Sequence, residues 1–256
     1  DKRSKGAGRD VLELGHICVE NAVFDQARRC YQYVLDLGQE NPNFYEAQLS
    51  LLNARFQQIT QFRSYTNEEI AQSILDFETA LQRIGKGKVS LQLSLQLAEI
   101  RAFYAAQSKK AIEELLLLTK TPGLTDMQRA QVKMLLADIY VLDGDIWEAS
   151  LLYMQIDNDF KFETIGSEAK FKNAKIFYYD GEFEFAQAQL NVLKESTSKL
   201  IANDAIQLAV FITDNYGLDS NYQVMLWFAT ADRMIAQHHY DSAFVLFDSI
   251  QTQFPY

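Results

Sequence analysis

Metal binding, phosphate capture and acid–base catalysis each demand particular side chains at particular spacings, and this 256-residue chain supplies few of them. Its three histidines are His16, His238 and His239. The last two are consecutive in a turn, where neighbouring side chains diverge, so a zinc site would need distant partners to complete it. His16 stands four residues before Glu20, a spacing that puts both on one helix face as a surface pair. Asp143, Gly144 and Asp145 imitate the opening of a calcium loop, but the later oxygen ligands and closing glutamate do not follow, and the triplet reads as a turn between helices. Gly85 to Lys88, GKGK, has the glycines and lysines of a phosphate-binding loop. No Ser or Thr follows the lysine and no strand precedes it, which removes that chemistry. The acids Glu113 with Glu114, and Asp157 with Asp159, sit beside solvent-facing positions, without the cleft that raises the pKa of a glycosidase acid. No catalytic residue, metal site or cofactor is therefore expected.

The elements that must position these residues repeat along the chain. Val224 to Pro255, VMLWFATADRMIAQHHYDSAFVLFDSIQTQFP, reads as two amphipathic helices joined by a tight turn. Trp227, Ala231 and Met234 recur at spacings of four and three, as do Ala243, Phe247 and Ile250. One such hairpin cannot bury its own apolar faces and needs copies on either side. Counting Val224 as position 1, small residues stand at positions 8 and 20, a turn residue at 15, and large apolar residues at 11, 24 and 27.

Ser167 to Leu193 fills those slots with Ala174, Phe177, Gly181, Ala186, Leu190 and Leu193. Ala130 to Ile156 does so with Ala137, Tyr140, Gly144, Ala149, Tyr153 and Ile156, and Gly8 to Val34 with Gly15, Cys18, Ala22, Ala27, Tyr31 and Val34. Gln92 to Leu118 keeps Ala102, Ala106, Ala111, Leu115 and Leu118 but has Glu99 at position 8; Phe44 to Ile84 is a weaker helix pair with a longer linker. Small residues at 8 and 20 let the two axes of a hairpin approach, and the large ones at 24 and 27 fill the gap toward the next. Thr66 with Glu69 and Thr125 with Gln128 form capping boxes, and Asn41 with Pro42 reads as a helix start. The 57-residue step from Ala186 to Ala243 leaves room for one more helix, as a seal over a groove or as a spacer.

This pattern resembles the tetratricopeptide repeat, a unit of about 34 residues with Trp, small, aromatic and Pro positions in this order. The resemblance implies an all-α fold: a right-handed α-solenoid of about six stacked helix-turn-helix hairpins plus one extra helix. A disordered tail over residues 1–8 would precede a single domain over 9–256. Its hairpins would lie near 9–38, 43–84, 90–119, 126–158, 167–195 and 224–254, with the extra helix near 199–214. In the family, positions 2, 5, 9, 12 and 13 of each first helix commonly face an inner groove that contacts a peptide. The candidate groove residues carried over on those slots are Phe103 and Tyr104, Met134 and Asp138, Phe171, Lys175, Tyr178 and Tyr179, and Phe228 and Asp232.

Aromatics there would give a peptide large contact area for little entropy loss, or would pack against the preceding helix as ordinary core; both readings stay open. The Lys and Asn pattern of members that clamp a C-terminal carboxylate is missing, so a co-chaperone role is not expected. The implied function is a non-enzymatic protein-interaction scaffold with a protein or peptide partner, monomeric or weakly self-associating. The alternative is a structural spacer or self-assembling subunit of a larger complex, the cell envelope included.

Composition narrows the partners. With 24 basic and 34 acidic side chains the net charge is −10, which disfavours nucleic acid, whose affinity comes largely from cations on phosphates. Three prolines and eleven glycines favour nearly continuous helix. No run of 18 apolar residues reads as a transmembrane segment. The chain opens on Asp1 with no visible signal peptide, consistent with a soluble cytoplasmic protein or a fragment of an exported, periplasmic one whose leader was removed. Cys18 and Cys30 fall on facing helices of the first hairpin; a disulfide fits that geometry, and the favoured reading is two buried thiols acting as small hydrophobes.

Overall fold

The computed structural model describes residues 8–62, 65–85, 87–194, 198–217 and 222–253, and these hold helices, turns and loops without a strand. Residues 1–7 of the expected tail, Lys86 of the GKGK stretch and Pro255 lie outside the described residues. The chain divides into two compact units, Asp1–Gln107 and Ser108–Tyr256.

The first unit contains α1 (Arg9–Glu20), α2 (Phe24–Asp36), α3 (Phe44–Thr60), α4 (Asn67–Ile84) and α5 (Leu91–Tyr104). Each helix packs on the next, and α5 also returns to α3. Phe24, Ala27, Tyr31 and Val34 of α2 bury one stripe against Leu12, Ala47 and Leu51, while Ile74, Phe77 and Leu81 of α4 meet Leu97 and Ile100 of α5. Gly15 shows why position 8 must be small: a Cβ there would stand 2.5 Å from the Tyr31 ring. Thr66 caps α4 as expected, its Oγ1 accepting from the Glu69 N–H at 3.2 Å while the Glu69 carboxylate accepts from the Thr66 N–H at 2.9 Å. One boundary differs. The helix expected from Asn41–Pro42 begins at Phe44, because the Asn41 side chain accepts from the Asn43 N–H at 2.9 Å and closes a turn that contains Pro42.

The second unit contains α6 (Ser108–Thr119), α7 (Asp126–Asp143), α8 (Ile146–Asp159), α9 (Thr164–Asp180), α10 (Phe183–Leu193), α11 (Lys199–Ile212, continued by a wide turn to Gly217), α12 (Tyr222–Ala236) and α13 (Tyr240–Gln253). From α6 to α11 each helix packs on its successor. The order then changes: α11, the expected extra helix, takes the place beside α10, whereas α12 lies against α9 and carries α13 on its own side.

The slots behave as the repeat spacing requires. The position-20 alanines Ala27, Ala111, Ala149, Ala186 and Ala243 are at most 1% exposed, so no larger side chain fits without moving a helix. Position 15 has a left-handed backbone in all five hairpins where it aligns: Ala22 (φ 58°), Ala106 (φ 52°), Gly144 (φ 99°), Gly181 (φ 87°) and His238 (φ 61°). The reversal between helices therefore needs that conformation whatever residue stands there. For a residue with a Cβ it costs on the order of 1 kcal/mol, which Gly avoids. Ala22→Gly and His238→Gly should each raise the unfolding free energy measured by urea titration, by roughly 0.5 kcal/mol once the extra freedom of glycine in the unfolded chain is counted, and Gly144→Ala should lower it by about 1 kcal/mol.

Candidate functional site

The capping box at Thr125, with the Gln128 N–H donating to Thr125 Oγ1 at 3.2 Å, fixes where α7 begins. From that start Met127, Gln131, Met134, Leu135 and Asp138 follow at helical spacing and share one face. Ile165, Glu168 and Lys172 do the same on α9. Between the two faces lies an open cleft of about 720 Å³, lined also by Phe162 and Glu163 from the loop entering α9 and by Thr164 at its first position. Its walls are apolar at Met127, Met134, Leu135 and Ile165, and Phe162, 87% exposed, stands at the rim.

On the floor of this cleft Lys172 is held between carboxylates. Lys172 Nζ donates to both oxygens of Asp138, at 2.9 and 2.8 Å, and lies 3.2 Å from Glu168. Tyr153, a core residue of α8, donates its hydroxyl to the same Asp138 at 2.6 Å. Burial by itself would push the Lys172 ammonium down, but the Asp138 and Glu168 carboxylates outweigh it and hold that pKa above the ordinary lysine value. Burial, then the Asp138 charge, pushes the Tyr153 phenol well up. The network ties three helices together: α7 supplies Asp138, α8 Tyr153 and α9 Lys172.

Toward the C-terminal ends of α7 and α9 the wall is covered. Tyr222 and Leu226, at the start of α12, stand against Gly181, just past the end of α9, and Gln237, just past the end of α12, donates to the Val141 carbonyl near the end of α7 at 3.3 Å. α12 therefore runs from the end of one helix to the end of the other. Beneath it Tyr178 and Tyr179 are 1% and 4% exposed. Asp232 approaches Lys175 and both tyrosines: burial raises its pKa and Lys175 partly opposes that rise, while burial and then the Asp232 charge raise the Tyr178 phenol. Lys175 Nζ sits 5.3 Å from the centre of the Tyr179 ring. Phe228 packs on Phe211 of α11 at 4.9 Å and on Phe247 of α13 at 5.3 Å.

The ten sequence candidates thus fall into three settings. Met134 and Asp138 line the open cleft, and Phe171 is half-buried against the core beneath the wall. Lys175, Tyr178, Tyr179 and Asp232 meet at the α9–α12 contact, whereas Phe228 of α12 packs on α11 and α13. In the first unit, Phe103 is half-buried near the end of α5, and Tyr104 packs edge-on against Tyr65 at 5.8 Å. Sequence reasoning missed Lys172, Tyr153 and Phe162. Lys172 carried one local signal, its place four residues after Glu168; the other two carried none.

The remaining chemical candidates have structural places. Asp143 accepts from Ser108 at 2.6 Å and leads into the turn at Gly144. Asp157 pairs with Lys170 at 3.1 Å. His16, expected beside Glu20, instead hydrogen-bonds with Ser50 of α3 at 3.1 Å and rests against the Tyr31 ring, because α3 brings a polar group to that face. Cys18 and Cys30 are free thiols, half-buried rather than buried, and near enough to Tyr31 that burial and then their charges push its phenol up to about 12. Among the described residues, no group of three His, Cys, Asp or Glu could hold a metal ion, and no helix is long and apolar enough to cross a membrane.

No family model and no curated protein matches this chain. Among solved structures it is similar to a tetratricopeptide repeat protein from Parabacteroides merdae ATCC 43184, at 12% identity and a TM-score of 0.58, covering 96% of this chain and 92% of that one. The fold is therefore all-α and of the tetratricopeptide-repeat type.

The network has a measurable pH signature. Above about pH 10 a tyrosine in the unfolded chain loses its proton, while Tyr153 and Tyr178, their pKa values raised by burial, keep theirs in the folded one. The unfolded state then binds fewer protons, and stability falls with rising pH by up to about 1.4 kcal/mol per unit for each tyrosine. Tyr153→Phe should cost roughly 1–2 kcal/mol at neutral pH, for the lost hydrogen bond to Asp138, and should remove one such contribution from the alkaline slope in urea titrations between about pH 10 and 12.

Proposed function

We propose that this protein is a non-enzymatic interaction scaffold that takes a polypeptide segment into the cleft between α7 and α9. The observation that carries the reading is a concave apolar opening over a floor where Lys172 is held between carboxylates. Met127, Leu135 and Phe162 offer adaptable contact area, and methionine in particular accommodates varied side chains. The Lys172–Asp138–Tyr153 floor holds the wall in shape, which lowers the ordering cost of binding. Lys172 is bridged by two carboxylates and is committed to positioning rather than to proton transfer. Counting Asp138, Glu163 and Glu168 against Lys172, the cleft keeps a negative balance, so the segment it favours presents apolar side chains together with a Lys or Arg.

A second reading has its own observation. Trp147, Leu151 and Phe185, on α8 and α10, are each 52% exposed, and an outer apolar face of this kind suits a self-assembling subunit. Light scattering across a concentration series separates the two, since self-assembly requires a mass that rises with concentration.

The scaffold reading is tested by affinity capture with the intact chain as bait. Met127→Arg places a fifth charge and a long side chain in the cleft, and should weaken a partner retained by the unaltered chain by tenfold or more, about 1.4 kcal/mol. Trp147→Ala should leave it bound. Equal retention by both variants removes the cleft from the function.

A further inference from the structure

Helix α12 does not continue the series that α6 to α11 build. It lies on the face of α9 where the groove slots point, and its sequence supplies that face with the chemistry it accepts. Met225 and Ala229 are 2% and 0% exposed in the contact, and Phe228 reaches Phe211, whose ring in turn lies 6.5 Å from Tyr178. Burial would lower the Lys175 ammonium, and Tyr179, then Asp232 of α12 and Asp204 of α11, hold it above the ordinary lysine value. The α12–α13 hairpin is also held together by its own contacts: Phe228 stacks edge-on with Phe247, and Ala231 and Ala243 are 0% and 1% exposed. Away from α9 it leaves Phe244 and Val245 each 67% exposed on α13.

We infer that the covered half of the inner wall is a helix-docking surface, occupied in this structure by the chain's own α12. A partner's amphipathic helix of the same chemistry, with large apolar side chains on one face and a carboxylate in register with Lys175, binds there by displacing α12. This rests on the reading of the inner wall as the binding face, and it adds the kind of partner and its competitor. The open cleft beside α12 is where such a helix first touches the wall, and Tyr178 and Tyr179 become its contacts once α12 lifts. An internal occupant reduces the apparent affinity for any external helix by the fraction of time that the site is free. Weakening the occupant must therefore strengthen binding, an outcome opposite to that of ordinary damage to a site.

The probe is a fluorescein-labelled synthetic peptide of residues 222–236, YQVMLWFATADRMIA, titrated by anisotropy against the full chain. Asp232→Lys in the chain sets α12 against Lys175, and should tighten peptide binding at least tenfold; Phe228→Ala, which removes the contact with Phe211, should act in the same direction. A peptide carrying lysine in place of the aspartate should lose that gain. If either variant stays folded by circular dichroism and binds no tighter than the unaltered chain, the inference is overturned. Should both variants unfold, hydrogen exchange of the unaltered chain decides: α12 and α13 amides exchanging ahead of those in α9 and α10 support it, and simultaneous exchange refutes it. Trp147→Ala, on the outer face of α8, should leave the peptide affinity unchanged; the peptide titration reads the α12 site while capture by the Met127→Arg chain reads the open cleft, so failure here and failure of the cleft reading are told apart.

Discussion

Two helix axes come close only where nothing larger than a methyl group stands between them, and the rest of this structure depends on that constraint being met at regular intervals. Ala137, Ala149, Ala174 and Ala186 are all 0% exposed, and the helices they sit on pack in sequence. The close approach delivers the larger residues Tyr153, Ile156, Leu190 and Leu193 into one continuous core. It also presents the opposite faces of α7 and α9 to each other at a separation that leaves an opening rather than a filled interior. The open wall is a by-product of how the core is built.

Local rules read from the chain are reliable where local physics decides. The capping boxes at Thr66 and Thr125 form as their spacing requires, since both partners lie within one helical turn. The left-handed turn at position 15 appears even where Ala22, Ala106 and His238 replace glycine, because the reversal between packed helices dictates the backbone and the side chain follows. The Asn41–Pro42 start misleads for a related reason: the same asparagine that can cap a helix can close a turn two residues on, and in this chain the turn wins.

Relations across hairpins are what the sequence does not disclose. The pattern Trp227, Ala231, Met234 says that α12 buries one face, and it is indistinguishable from the pattern of a helix that stacks in series. Nothing in it says which neighbour does the covering, and α11 has already taken the place beside α10. The same limit hides Lys172: its partner Asp138 lies 34 residues earlier, and Tyr153 is legible only as a core residue, not as a donor to that carboxylate. Tyr178 and Tyr179 leave two fates open in the sequence, ligand contact or core. In the folded chain they are core, with α12 lying over them.

Because wall, floor and covering helix all inherit their positions from the small-residue slots, the most direct measurement is the unfolding free energy of an Ala186→Leu chain beside an Ala188→Leu control, the same substitution at an exposed position of the same helix. If close approach at position 20 organises the structure, the first loses about 1–3 kcal/mol by urea denaturation while the second changes by less than about 0.5 kcal/mol. Equal stability of both chains would mean that the helices are not held where these alanines place them, and would contradict the account.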